Sequence, residues 1–192
     1  MKKVKFILSC FLIMVFMTQY TKIYAAETLS LKSEAAVLIE PVSGEILFSK
    51  NADKRLPPAS ITKLMTLLLA MEAIDSGKLK LTDKIQASPE ACRMGGSQIW
   101  LEPGEEMTVE ELMKAIAIVS ANDASYAVGE YLYGSAEAFI KRMNLRAKEL
   151  GLKDTYYANM TGLNPAQPEE KGNYTTAMDV AVLSRELLKH PK

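Results

Sequence analysis

Ser60 and Lys63 stand three residues apart at the head of an apolar run, Leu64-Met65-Thr66-Leu67-Leu68-Leu69-Ala70-Met71. Pro57 and Pro58 fix an extended approach, and prolines are tolerated just ahead of a helix or in its first turn. The Leu, Met and Ala that follow favour helix, so a helix is predicted from about Ser60 to the stop at Asp75-Ser76-Gly77. Residues i and i+3 share a helical face, which sets Ser60 beside Lys63. Leu64, Leu67, Met71 and Ile74 extend that face, while Leu68, Leu69, Ala70 and Ala73 make the other sides apolar. A helix apolar all round is a buried helix. Its first turn should carry a serine and a lysine into a largely dehydrated place.

Dehydration changes what the pair can do. An ordinary lysine is protonated at neutral pH, with a pKa of ~10.4. Burial disfavours the ammonium and lowers that value by up to ~3–5 units. A lysine so shifted can take the proton of a serine hydroxyl within hydrogen-bond reach, activating a nucleophile without histidine. The free N–H groups of a helix start suit a developing oxyanion. The plainer alternative makes Ser60 an N-cap and Lys63 a surface lysine that snorkels to water.

A second polar interruption follows at Ser120-Ala121-Asn122-Asp123. Thr108-Val109-Glu110-Glu111 is a capping box opening a helix with Leu112, Ala115, Ile116 and Val119 on one face. Asn122 and Asp123 break in where that face turns inward, before a further helix over Ala124 to Tyr133. Ser120 and Asn122 could simply end one helix and cap the next. Upstream, Ala35 to Glu40 and Glu45 to Ser49 read as a hairpin about Pro41-Val42-Ser43-Gly44. Lys80 to Gln86 reads as a short strand, and Ser88-Pro89-Glu90 starts a short element that ends at Gly95-Gly96. Ser135 to Leu150 is an amphipathic helix closed by Gly151. Leu152 to Lys171 is a loop longer than most and so a candidate for function. Thr176 caps a last helix with Val180, Leu183 and Leu187. Trp100, Tyr156 and Tyr157 could flank a cleft, though core packing suits them better.

The remaining residue types exclude several chemistries. Across 192 residues, 23 basic and 23 acidic side chains balance, so nothing points to nucleic acid. His190 is the single histidine, which leaves no Ser-His-Asp triad and, with Cys92 alone outside the leader, no zinc site. No cofactor is implied. Glu110/Glu111 and Glu169/Glu170 read as a helix start and a loop surface rather than a glycosidase pair. Residues 1–25 look like a signal peptide, with basic Lys2, Lys3 and Lys5, an apolar run from Phe6 to Met17, and Ala25-Ala26 at a cleavage point. An uncleaved anchor is the alternative; either way the domain over 26–192 is exported. Cleavage would remove Lys22 as well and no acid, leaving the remainder net acidic.

Ser60-Ile61-Thr62-Lys63, with Ser120-Ala121-Asn122 about sixty residues later, resembles the S-x-x-K and S-x-N motifs of penicillin-recognising serine enzymes. Leu101-Glu102-Pro103-Gly104, Gly134-Ser135-Ala136-Glu137, Lys148-Glu149-Leu150-Gly151 and Thr161-Gly162-Leu163 narrow the resemblance to D-alanyl-D-alanine carboxypeptidases, over roughly residues 30–190. The resemblance implies an α/β fold of the β-lactamase and penicillin-binding transpeptidase type, an antiparallel sheet with a helical cluster. It implies that Ser60 attacks the carbonyl between two D-alanines of a peptidoglycan pentapeptide, with Lys63 as base. Ser120 would relay a proton and Asn122 would bind the substrate's backbone amide. β-Lactams would acylate Ser60.

One departure stands out. The family's third motif, Lys-Thr-Gly or a variant on a cleft-lining strand, has no counterpart in this chain. With a single hairpin against five or more helices, the sheet looks unfinished. The chain therefore reads as the N-terminal part of a catalytic domain, itself inactive, with any C-terminal membrane anchor unseen. Two alternatives stay open: a class A-like β-lactamase, which would carry Asp at position 121, and a non-catalytic peptidoglycan-binding relative.

Overall fold

Strand β1 (Ala36–Ile39) pairs antiparallel with β2 (Ile46–Lys50), the hairpin expected from the apolar runs either side of Pro41. The register shifts between Leu38 and Ile39, where the chain bends towards the turn. The computed structural model describes residues 30–164 and 171–190; the leader and Glu169/Glu170 lie outside them. The elements all belong to one unit over Ser33–Lys192. After β2 come a 3-10 turn (Ala59–Thr62), α1 (Lys63–Asp75), β3 (Lys84–Gln86) and α2 (Pro89–Cys92). Then follow β4 (Glu106–Thr108), α3 (Val109–Val119), α4 (Asn122–Tyr133), α5 (Ala136–Glu149) and α6 (Ala177–Leu187).

Helix α1 is the axis of the molecule. Ala70, Met71 and Ile74 on one side join a core with Leu79, Ile85, Leu112, Ile116 and Val128. Met65, Leu68 and Leu69 on the other join Phe139, Met143, Met160 and Leu183. Full burial of each of its Leu, Ile and Met side chains contributes about 1.5–3 kcal/mol, so the all-round apolar pattern of α1 is satisfied on both sides. Helix α5 buries Phe139 and Met143 as its amphipathic pattern predicted, joined by Ala147 at i+8, while Leu150, expected on the same stripe, is the half-buried C-cap. Gly129 lies on α4 because Phe139 and Met160 press there; a Cβ would come within 2.7 Å of the Phe139 ring. A half-buried guanidinium joins three helices. Arg146 of α5 reaches Glu72 of α1 at 2.7 Å and Glu186 of α6 at 3.3 Å. Helix α6 packs on β1, and its Arg185 donates to the carbonyls of Pro41 and Val42 in the hairpin turn.

The caps follow the sequence. Thr108 and Glu111 form the capping box of α3, and Ser88, Ser135 and Thr176 each accept a backbone N–H at the start of their helices. Four expectations need correcting. A second antiparallel pair, β3 with β4, aligns Ile85 with Met107; the strand expected from Lys80 covers only Lys84–Gln86. Helix α4 starts at Asn122, two residues early. Helix α2 ends at Cys92, before Gly95. Trp100 is not in the core: it is 76% exposed, with φ at +63°, whereas Tyr157 is buried and Tyr156 stacks on Tyr174. Trp100 is the single tryptophan, so the fluorescence of the chain should be water-exposed in emission and openly quenched by acrylamide. A blue-shifted, protected emission would contradict this placement.

Candidate active site

Ser60 and Lys63 meet as their spacing required, on a different local helix. Residues 59–62 form a 3-10 turn, and the α-helix proper opens at Lys63. In a 3-10 turn residues i and i+3 eclipse, so the side chains still face each other. The two part in burial. Ser60 is exposed, which corrects the expectation of a dehydrated serine, while Lys63 is 3% exposed. Ser60 is no N-cap, since neither the turn nor α1 has a side-chain cap bond. Lys63 does not snorkel. Its Nζ donates to the Ser60 Oγ at 3.2 Å and to the backbone carbonyl of Thr161 at 2.7 Å. Burial lowers the Lys63 pKa to about 8, into the range where a neutral amine can accept a proton.

The Thr161 carbonyl comes from the long loop that sequence reading marked for function. The Asn159 Oδ1 accepts from the N–H and hydroxyl of Thr161 and, at 2.7 Å, from the N–H of Gly162. Gly162 has φ at +83° and lies flat on the turn that carries Ser60; a Cβ there would sit 1.8 Å from the Ala59 oxygen. Ala59 is itself left-handed, with φ at +47°. The loop is thus packed backbone to backbone against the residue that precedes Ser60.

The second constellation lies at the α3–α4 junction. Ser120 is half-buried and left-handed, φ +59°. Among the described residues, no hydrogen bond joins its hydroxyl to Ser60 or Lys63. Asn122 is 3% exposed and holds the Gly95–Ser97 segment: its Nδ2 donates to the Gly95 carbonyl at 2.6 Å and its N–H to the Ser97 carbonyl at 2.7 Å. Its Oδ1 is buried with no partner among the described residues. Asp123, fully buried, accepts from the N–H groups of Ile99 and Leu101 and so pins both sides of Trp100. Gly96 lies against Asn122 Nδ2 and the side chain of Leu163, where a Cβ would fall at 2.8 and 3.3 Å. Through that contact the Asn122 segment meets the loop that reaches Lys63. No cluster of metal ligands occurs among the described residues.

Residues 21–192 match the family model described as D-alanyl-D-alanine carboxypeptidase. The chain belongs to that family. It is 55% identical over 159 residues to the D-alanyl-D-alanine carboxypeptidase DacF of Bacillus subtilis, covering 83% of this chain and 40% of that protein. Against DacC of Escherichia coli the identity is 36%, over 94% of this chain and 45% of the relative. Among solved structures, the carboxypeptidase DacD of Francisella tularensis superposes with a TM-score of 0.80 at 35% identity, over 85% of this chain and 39% of that one. Penicillin-binding protein D2 of Listeria monocytogenes in its ampicillin-bound form gives 0.73 at 32%, over 84% and 63%. The chain spans less than half the length of the curated relatives it matches. The family's fold accounts for the expected α/β architecture, with helices beside small antiparallel sheets.

Sequence reasoning missed the backbone carbonyl of Thr161 and the asparagines behind it. A carbonyl has no residue type to read, and Asn159 and Asn173 lie among other polar residues in and just beyond the loop; its length and the Thr161-Gly162-Leu163 motif were the signals present.

Proposed function

We propose that this chain holds the nucleophile and base of a serine-type D-alanyl-D-alanine carboxypeptidase that trims peptidoglycan outside the cytoplasmic membrane. The observation that carries the reading is the buried Lys63 amine, pKa about 8, hydrogen-bonded to the exposed Ser60 hydroxyl. Ser60 Oγ attacks the carbonyl joining the last two D-alanines of a stem pentapeptide as Lys63 takes its proton. The tetrahedral intermediate collapses to an acyl-Ser60 ester, and the terminal D-alanine leaves with a proton returned through Lys63 and Ser120. Water then attacks the ester, with the amine again as base, and restores Ser60. The unpartnered Asn122 Oδ1 suits the N–H of a substrate amide, since a buried acceptor without a donor costs about 1–3 kcal/mol. The exposure of Ser60 fits a nucleophile that a polymeric substrate must reach.

A second oxyanion donor would come from the family's third motif, for which these 192 residues hold no Lys-Thr-Gly-type tripeptide. Loss of one such donor typically lowers the rate by ~10²–10³, so the test uses the full reading frame. A fluorescent penicillin should label it covalently, persist for many minutes, and be absent from Ser60→Ala. A folded protein that takes up no label would leave a non-catalytic relative. Rapid release of the label would indicate a β-lactamase, against which Ala121 already stands. Residues 1–25 as an export signal place the enzyme with its substrate; no helix among the described residues is long and apolar enough to cross a membrane.

A further inference from the structure

Behind the Lys63 contact lies a second layer of polar groups with no part in the chemistry above. Asn173 is 8% exposed and Thr62, adjacent to Lys63, is 1% exposed. The Asn173 Nδ2 donates to the Thr62 hydroxyl at 2.9 Å and to the Asn159 carbonyl at 3.0 Å. Its Oδ1 accepts from the N–H groups of Ala158 at 2.7 Å and Asn159 at 3.0 Å. One carboxamide therefore joins the start of α1 to the loop whose carbonyl meets the lysine. Asn159 then fixes Thr161 and Gly162 through its own Oδ1. From Thr62 the chain of bonds runs out through Asn173 and Asn159 and returns through Thr161 to Lys63.

We propose that Thr62 and Asn173 are positioning residues, which hold the Thr161 carbonyl on the Lys63 amine so that the amine's remaining valences face Ser60. The inference rests on the reading of Lys63 as the base. A neutral amine has two N–H donors and one lone pair. With one N–H committed to Thr161 at 2.7 Å, the lone pair is excluded from that direction and is available to the serine proton, where the ammonium form donates instead. Without that commitment the lone pair can turn away from Ser60, a geometry that cannot accept its proton. Buried groups linked in a closed ring of hydrogen bonds hold orientation far better than one contact alone.

Thr62→Val keeps the shape and removes the acceptor for Asn173; Thr62→Ser keeps the hydroxyl. In the full reading frame, Thr62→Val should label with fluorescent penicillin roughly tenfold or more slowly, the scale on which small misplacements act. Its Lys63, followed by side-chain 15N NMR, should titrate above about 8, because a loosened loop admits water and burial is what lowers the value. Thr62→Ser should match the unaltered protein in both readouts. Wild-type rate and titration in Thr62→Val, or a Thr62→Ser that behaves like valine, would overturn the assignment. Asn173→Ala, scored the same way, decides the matter if valine impairs folding: unchanged Lys63 titration there refutes the ring. If no form of the protein labels, the carboxypeptidase reading fails, while the titration still judges the positioning of Lys63.

Discussion

Lys63→Met is expected to abolish acylation of Ser60 by penicillin while leaving the fold intact. Methionine fills the buried space that the lysine stem occupies, whereas alanine would leave a cavity there. Labelling at the wild-type rate in a folded Lys63→Met protein would refute lysine as the base. In the unaltered protein the labelling rate should climb as pH rises through about 8 and then level, following the neutral amine. Stability moves in the same direction. Lys63 titrates near 8 when folded and near 10.5 when unfolded, so between those values the unfolded chain binds more protons and rising pH favours the native state. The gap corresponds to a difference on the order of 3 kcal/mol between neutral and strongly alkaline pH. Relative to Lys63→Met, the wild type should gain thermal stability across about pH 8 to 10.5 and hold a constant difference below pH 7. A difference that stays flat across the alkaline range would show that burial does not shift this lysine.

Gly162→Ala should be nearly as severe, although position 162 contributes no side chain. The new Cβ would fall 1.8 Å from the Ala59 oxygen and 2.4 Å from its carbonyl carbon, both backbone atoms. Alanine at φ +83° is strained in any case. The loop must lift, the Thr161 carbonyl leaves Lys63, and Asn159 loses its N–H partners at 161 and 162. Expected results are a loss of at least about 2 kcal/mol in urea unfolding and a fall in penicillin labelling well beyond what that loss explains at low temperature. A Gly162→Ala protein with wild-type stability would show that the loop and the serine turn are not in backbone contact.

The parts of the site written in side chains were legible, and those written in backbone were not. The i, i+3 spacing of Ser60 and Lys63 predicted their meeting because a 3-10 turn and an α-helix both bring such residues together. It did not show that a 3-10 turn leaves Ser60 outside and Lys63 within. The polar break at Asn122-Asp123 was rightly read as turning inward. Its consequence, the pinning of residues 95–101, depends on backbone N–H and carbonyl groups that every residue possesses. The pairing of β3 with β4 escaped notice because three residues, Glu106-Met107-Thr108, are too few to show a period of two. Trp100 misled by residue type, since aromatic rings usually pack, yet Asp123 holds the backbone on both sides in a form that turns this ring outward. The roles of Ser120 and Asn122 came from family resemblance, and the geometry adds an unpartnered amide oxygen to one of them.

Helix α1, whose opposite sides belong to different cores, carries a further consequence. An element seated in one core can slip or fray when that core loosens; one shared by two cores can move only if both give way together. The turn bearing Ser60 is continuous with this shared helix, so the Ser60 hydroxyl is mounted on the segment whose amides should be among the slowest to exchange with solvent. The Gly95–Leu101 strap is tied to Asn122 and Asp123 of α4, and the Asn159–Leu163 loop rests on Ala59 and Lys63. Any adjustment to a bound ligand would then fall to those two segments rather than to the turn that carries Ser60.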